Sequence, residues 1–169
     1  KLPKLVKDGF KGKIYSTPPT RDFAELLLID SVHVLMEEVN RQGLAPIYEA
    51  EDIESAMKMW DGVPYRESIQ VGNFKITFYD AGHILGSATI KIEAEGKSIL
   101  FSGDLGNYPA PIIHNTDPLP DVDYCVIEST YGARVHEDTS KREGELEDAI
   151  EDTVRAGGVL MIPAFAMER

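Results

Sequence analysis

Asp80-Ala81-Gly82-His83-Ile84-Leu85-Gly86-Ser87-Ala88 and Phe101-Ser102-Gly103-Asp104-Leu105-Gly106 are the two stretches on which the reading of this chain turns. Each follows an apolar, strand-like segment and sets one metal-capable side chain among glycines. Phe74-Lys75-Ile76-Thr77-Phe78, with the period of two expected of a strand, leads to Asp80, and the apolar run Ile99-Leu100-Phe101 leads to Asp104. A neutral imidazole is a common zinc donor, and a carboxylate can bridge two metal ions about 3.5–4 Å apart. Taken singly, His83 reads as a histidine held by hydrogen bonds and Asp104 as a turn residue. Taken together, the two loops point to a metal site.

Working outward, Ala88 to Ala94 and Lys97 to Ser102 alternate about Glu95-Gly96, the signature of a hairpin. Upstream, Lys11 to Thr17 predicts a short strand closed by Pro18-Pro19. A helix follows from about Thr20, with Phe23, Leu26, Leu27, Val34 and Leu35 on its apolar face, Asp30 the one polar member, and Gly43 as its stop. A second helix from about Glu51 carries Ile53, Ala56, Met57 and Trp60 and ends at Asp61-Gly62 and Pro64. Downstream, a proline-rich loop spans Asn107 to Pro120, and Asp123 to Ile127 predicts a strand ending at Glu128. Ser140-Lys141-Arg142-Glu143 has the form of a capping box that opens an acidic helix stopping at Gly157-Gly158. Val159 to Ile162 then reads as a buried strand. Alternating strands and helices place the chain in the α/β class.

Composition sets limits on this reading. The 169 residues, 43% hydrophobic and 27% charged, make one globular domain or most of one. The longest apolar runs are far too short to span a membrane, and Lys1-Leu2-Pro3 opens no secretory signal. The single cysteine, Cys125, excludes an internal disulfide, fits a cytoplasmic setting and reads as a buried small hydrophobe. A net charge of −12 repels phosphate chains and on its own speaks against nucleic acid. Much of that acid lies between Glu137 and Asp152, on a helix that need face no substrate.

Glu128 precedes Ser129-Thr130-Tyr131-Gly132 and reads equally as a solvated strand-end acid or as a carboxylate that orients a histidine or a water. His136 reads as a surface residue or a phosphate contact, and His33 and His114 as surface residues.

The His83 and Asp104 loops, Glu128-Ser129-Thr130-Tyr131-Gly132 and Ile162-Pro163-Ala164-Phe165-Ala166 together resemble the metallo-β-lactamase superfamily. Within it they are similar to the β-CASP branch, which processes nucleic acids; the Glu128 element, resembling that branch's first signature motif, is the most specific. The resemblance implies an αββα sandwich with mixed sheets around two zinc ions. In it His83 and Asp104 are metal ligands, with Asp104 bridging and acting catalytically, Glu128 is the catalytic acidic residue, and His136, Ser129 and Thr130 are candidates for contacting substrate phosphate. It implies hydrolysis of RNA, or less often DNA, by a metal-activated hydroxide, as an endonuclease or an exonuclease. No membrane partner is expected, and a homo-oligomer is compatible with the reading.

The family's His-x-His-x-Asp-His motif does not occur here, and Lys1-Leu2-Pro3-Lys4-Leu5 resembles the sequence that follows it. In the family, the cap and the late histidines come after the position of Arg169. Residues 1–169 therefore read as an internal piece of a metallo-β-lactamase-like domain, holding two of roughly six or seven metal ligands. Such a piece is expected to bind zinc weakly and to be inactive alone. Two other readings stay open: a hydrolase of small esters or thioesters with the same fold, and a non-catalytic scaffold subunit of an RNA-processing complex.

Overall fold

The computed structural model describes residues 1–43, 45–107, 112–135, 139–164 and 167. The chain divides into two compact units, Lys1–Glu128 and Ser129–Arg169.

The first unit opens with helix α1 (Leu2–Lys7), strand β1 (Ile14–Ser16), helix α2 (Pro18–Gln42), helix α3 (Ala50–Lys58) and strand β2 (Trp60–Gly62). Strands β1 and β2 pair in parallel. Prolines fit the first turn of α2, where no backbone N–H is needed, and Gly43 ends the helix in the left-handed conformation at φ 69°. Helix α3 is opened by the Asp52 carboxylate, which accepts the Glu49 N–H at 2.9 Å. Tyr48, Ile53, Met57 and Trp60 form a buried cluster against which Leu2, Ile14, Ala24, Leu28, Val32 and Leu35 pack. The polar tips in this cluster are satisfied: Tyr48 pairs with Ser31 at 2.9 Å, and the Trp60 indole donates to Ser16 Oγ at 2.8 Å.

The rest of the first unit is a five-stranded mixed sheet in the order β3 (Ser68–Val71), β4 (Phe74–Asp80), β5 (Ala88–Ala94), β6 (Lys97–Phe101), β7 (Tyr124–Val126). All neighbours are antiparallel except β6 and β7, which are parallel. The β5–β6 turn is the expected Glu95-Gly96, with φ 52° and 72°, both left-handed, as a tight hairpin turn requires. Because β4–β5 and β5–β6 are antiparallel and β6–β7 parallel, β4, β6 and β7 all run the same way. Their carboxyl ends therefore lie at one edge of the sheet, and those ends carry the His83 loop, the Asp104 loop and Glu128.

The second unit begins with a turn in which Gly132 N–H donates to Ser129 C=O at 3.0 Å. A single 3-10 turn (Thr139–Lys141) then leads into helix α4 (Arg142–Arg155).

Several expectations are corrected. Helix α2 turns Ala24, Leu28, Val32 and Leu35 to the core, while Leu26, Leu27 and Val34 are exposed. Apolar residues surround this helix, so spacing alone could not choose its buried face. Trp60 is in a strand, because its backbone pairs with Ile14 rather than continuing α3. The sequence pattern does not mark strand β3, whose charged and polar surroundings hide it until it pairs with β4. Cys125 is exposed, since β7 is the edge strand and covers no second layer in this unit. Lys141, in a helical conformation, caps α4 without a side-chain bond, so the Ser140 capping box does not start that helix. Val159–Ile162 forms no strand, and Val159 is 87% exposed. A strand exists only through its ladder, and the described residues of this unit supply none to pair with it.

Candidate metal centre

The His83 loop is closed by backbone and by one hydroxyl. Ala81 N–H donates to Ser87 C=O at 3.2 Å, and Ser87 N–H to Ile84 C=O at 3.0 Å. Ser87 Oγ accepts the N–H groups of His83 and Ile84, at 3.1 and 3.2 Å. At the entry, Asp80 Oδ1 accepts the Gly82 N–H at 2.8 Å, an Asx turn that starts the reversal. At the exit, the Gly86 carbonyl accepts the hydroxyls of Thr17 at 2.6 Å and Thr20 at 2.9 Å, which fastens the loop to the start of α2. The Tyr65 hydroxyl donates to Ser87 C=O at 2.8 Å. Burial, then the charge of Asp80, pushes the Tyr65 phenol up to about 12.

The Asp104 loop is pressed against this one. Gly106 N–H donates to Ala81 C=O at 2.8 Å. A Cβ on Gly106 would overlap the Gly82 carbonyl, so only glycine lets the two backbones approach so closely. Glu128 ties in the third strand. Its N–H donates to Ser102 Oγ at 3.0 Å, and its Oε1 accepts the Leu105 N–H at 2.9 Å, one residue from Asp104. The structure thus gathers His83, Asp104 and Glu128 on three loops bonded to one another. His83 and Asp104 are exposed and Glu128 is half-buried, so the two candidate ligands are accessible from solvent.

The remaining candidates fall elsewhere. Ser129 and Thr130 are exposed in the opening turn of the second unit. His136 lies outside the described residues. His33 and His114 are exposed, as expected.

One group went unread in the sequence. Asp117, in the proline-rich loop, is 7% exposed. Its carboxylate accepts from Arg66 Nε at 3.2 Å, from a second Arg66 nitrogen and from the Asp80 N–H at 3.0 Å. Burial alone would raise its pKa, but the Arg66 hydrogen bond, the Asp80 N–H and the charges of Arg66 and His114 outweigh it and hold the carboxyl below its usual range. Positive φ at Arg66 (65°) and the return of residue 117 to strand β4 are tertiary facts with no local sequence signal.

An imidazole and a carboxylate on adjoining, rigidly bonded loops are a donor set suited to zinc. They supply two ligands, where a zinc ion takes three or four from protein. Among the described residues no cluster of three or more His, Cys, Asp or Glu side chains could hold a metal by itself.

No family model matches the chain. Curated relatives do. The chain is 33% identical to Ribonuclease TTHA0252 of Thermus thermophilus over 169 residues, which is all of this chain and 37% of that protein. It is 35% identical to an RNase J-like protein of Methanocaldococcus jannaschii over 161 residues, 93% of this chain and 36% of that one. With the cleavage and polyadenylation specificity factor subunit 3 of Dictyostelium discoideum it shares 32% identity over 164 residues, 96% of this chain and 21% of that one. These relatives are nucleases of the β-CASP branch of the metallo-β-lactamase superfamily, and the chain is homologous to a part of each. It spans between about a fifth and little more than a third of these relatives. Its helices and mixed sheet are a partial metallo-β-lactamase fold, and metal dependence goes with that family. No described helix is long and apolar enough to cross a membrane.

Proposed function

We propose that the protein carrying this chain is a zinc-dependent ribonuclease, cleaving RNA phosphodiester bonds at the edge where β4, β6 and β7 end. The observation that carries this reading is the bonding of the His83 and Asp104 loops through Gly106, in a chain whose curated relatives are named as ribonucleases and RNA-processing subunits. Those names favour RNA over a small thioester.

In this reading His83 and Asp104 hold metal, with Asp104 the bridging ligand, and the other ligands come from outside this chain. Zinc, when bound, lowers the pKa of its water and neutralises charge on the phosphoryl group. Glu128 keeps the Asp104 loop in place through the Leu105 N–H, an orienting role that its bond supports more directly than proton transfer. Ser129 and Thr130, with His136, are the proposed phosphate contacts. RNA is the proposed partner and the cytoplasm, suited to a lone free thiol, the proposed setting.

The test is hydrolysis of labelled single-stranded RNA by the full-length protein, with and without a chelator and with His83→Ala and Asp104→Asn. Chelation and both substitutions are expected to abolish cleavage. A full-length protein that hydrolyses thioesters and leaves RNA intact would overturn the proposal.

A further inference from the structure

Asp80 and Asp117 are joined in both directions. Asp117 N–H donates to the Asp80 carbonyl at 2.9 Å, and the Asp80 N–H donates to the Asp117 carboxylate at 3.0 Å. The neighbouring residues are joined as well, Thr116 Oγ1 donating to the Ala81 carbonyl at 2.9 Å. Gly82 has φ 64°, and a Cβ there would stand 2.5 Å from the Thr116 nitrogen. Residues 116 and 117 therefore lie flat against residues 80–82, the segment that turns the chain into His83. Two forces keep Asp117 there: the backbone bonds just named and the forked contact with Arg66.

Arg66 reaches this position from a left-handed backbone conformation that no side chain of its kind favours, with its own N–H fixed to the Phe78 carbonyl at 2.7 Å. Burying the Asp117 carboxylate and holding Arg66, whose side chain stays largely exposed, at a left-handed φ both cost free energy. Such expense behind a candidate ligand has a use if the loop must be held in one geometry, since the groups behind a metal ligand fix its orientation and affinity.

We propose that Arg66 and Asp117 are a positioning pair for His83, acting through Asp80 and the Gly82 N–H that Asp80 Oδ1 accepts. The inference rests on reading His83 as a metal ligand. The pair sets the direction in which the chain leaves β4 and so presents the imidazole; neither residue touches substrate.

The experiment uses the metal-stripped full-length protein and two variants. Asp117→Asn removes the charge, and Arg66→Gly removes the guanidinium at a φ where glycine is at ease, so the second variant keeps its fold even where the first does not. Two quantities are read: Zn²⁺ affinity by competition with a chromophoric chelator, and hydrogen exchange of the Gly82 amide without metal. Both variants are expected to bind Zn²⁺ about 10–100-fold more weakly. Gly82 should exchange faster in both while the amides of the β5–β6 hairpin keep their protection. Parental affinity together with parental Gly82 exchange overturns the proposal, and so does a loss shared evenly by all the sheet amides, which marks mere destabilisation. If the parent itself binds no Zn²⁺, the reading of His83 as a ligand fails. The Gly82 amide still decides whether the clamp exists, faster exchange in the variants supporting it and unchanged exchange refuting it.

Discussion

Gly106→Ala places one methyl group where the two candidate ligand loops meet. The new Cβ would overlap the Gly82 carbonyl and stand 2.8 Å from the His83 nitrogen, both backbone atoms that cannot rotate away. Overpacking of this kind costs about 1–3 kcal/mol, and parting the loops also loses the Gly106 to Ala81 hydrogen bond, worth about 1 kcal/mol. The expected destabilisation is about 2–4 kcal/mol, which lowers the melting temperature by several degrees. Gly144→Ala is the internal control: Gly144 lies in α4 with nothing within 4 Å of its Cβ position, so alanine there should stabilise by about 0.5–1 kcal/mol. Thermal unfolding of the full-length protein, followed by circular dichroism, reads both. An unchanged melting temperature for Gly106→Ala, with metal content intact, would show that the loops are not in backbone contact.

Three further expectations concern the far end of the sheet and the site itself. Asp123, held down to about 2 by the Lys97 ammonium and by the backbone and hydroxyl of Ser98, is below its unfolded value of about 3.9; its contribution is fully present above about pH 4 and lost as pH falls toward about 2. Urea midpoints should therefore drop less between pH 5 and pH 2.5 in Asp123→Asn than in the parent, and parallel curves would refute the tie. Tyr65→Phe loses the bond to the Ser87 carbonyl, at about 1 kcal/mol, and abolishes a stabilisation that is present below about pH 10 and fades as pH rises toward about 12. Alkaline difference absorbance checks it, since the variant should lack one late-ionising phenol. Glu128→Gln keeps an acceptor for the Leu105 N–H, so steady-state RNA cleavage should fall less than about tenfold; a loss of about 10²–10⁴ would instead make Glu128 a proton-transfer group.

What could be read in advance follows from how local each signal is. The β4, β5 and β6 strands and the Glu95-Gly96 turn were legible because alternation and turn chemistry lie within a few residues. Gly43 ended α2 for the same reason. His83 and Asp104 were legible as metal-capable side chains on glycine loops at strand ends, but what fastens the loops together was not. The Glu128 to Leu105 bond crosses 23 residues, and the Arg66 to Asp117 contact crosses 51. The buried face of α2 was misread because its apolar residues are not confined to one stripe. Val159–Ile162 is apolar enough for a strand, but hydrophobicity alone does not supply a pairing partner.

The closure of the His83 loop from Ala81 N–H to Ser87 C=O has a consequence for how this protein can vary. Two main-chain bonds and the side chains of Asp80 and Ser87 shape the loop, none of these bonds uses the side chain of residue 84 or 85, and Leu85 is half exposed at the tip. Changes of side chain at residues 84 and 85 should therefore pass with little effect, whereas adding or removing a single residue between 81 and 87 breaks the closure and rotates the imidazole away. At this site sequence drift is cheap and length is rigid, so an insertion count, rather than an identity score, is the sharper measure of whether a related chain can still present its histidine.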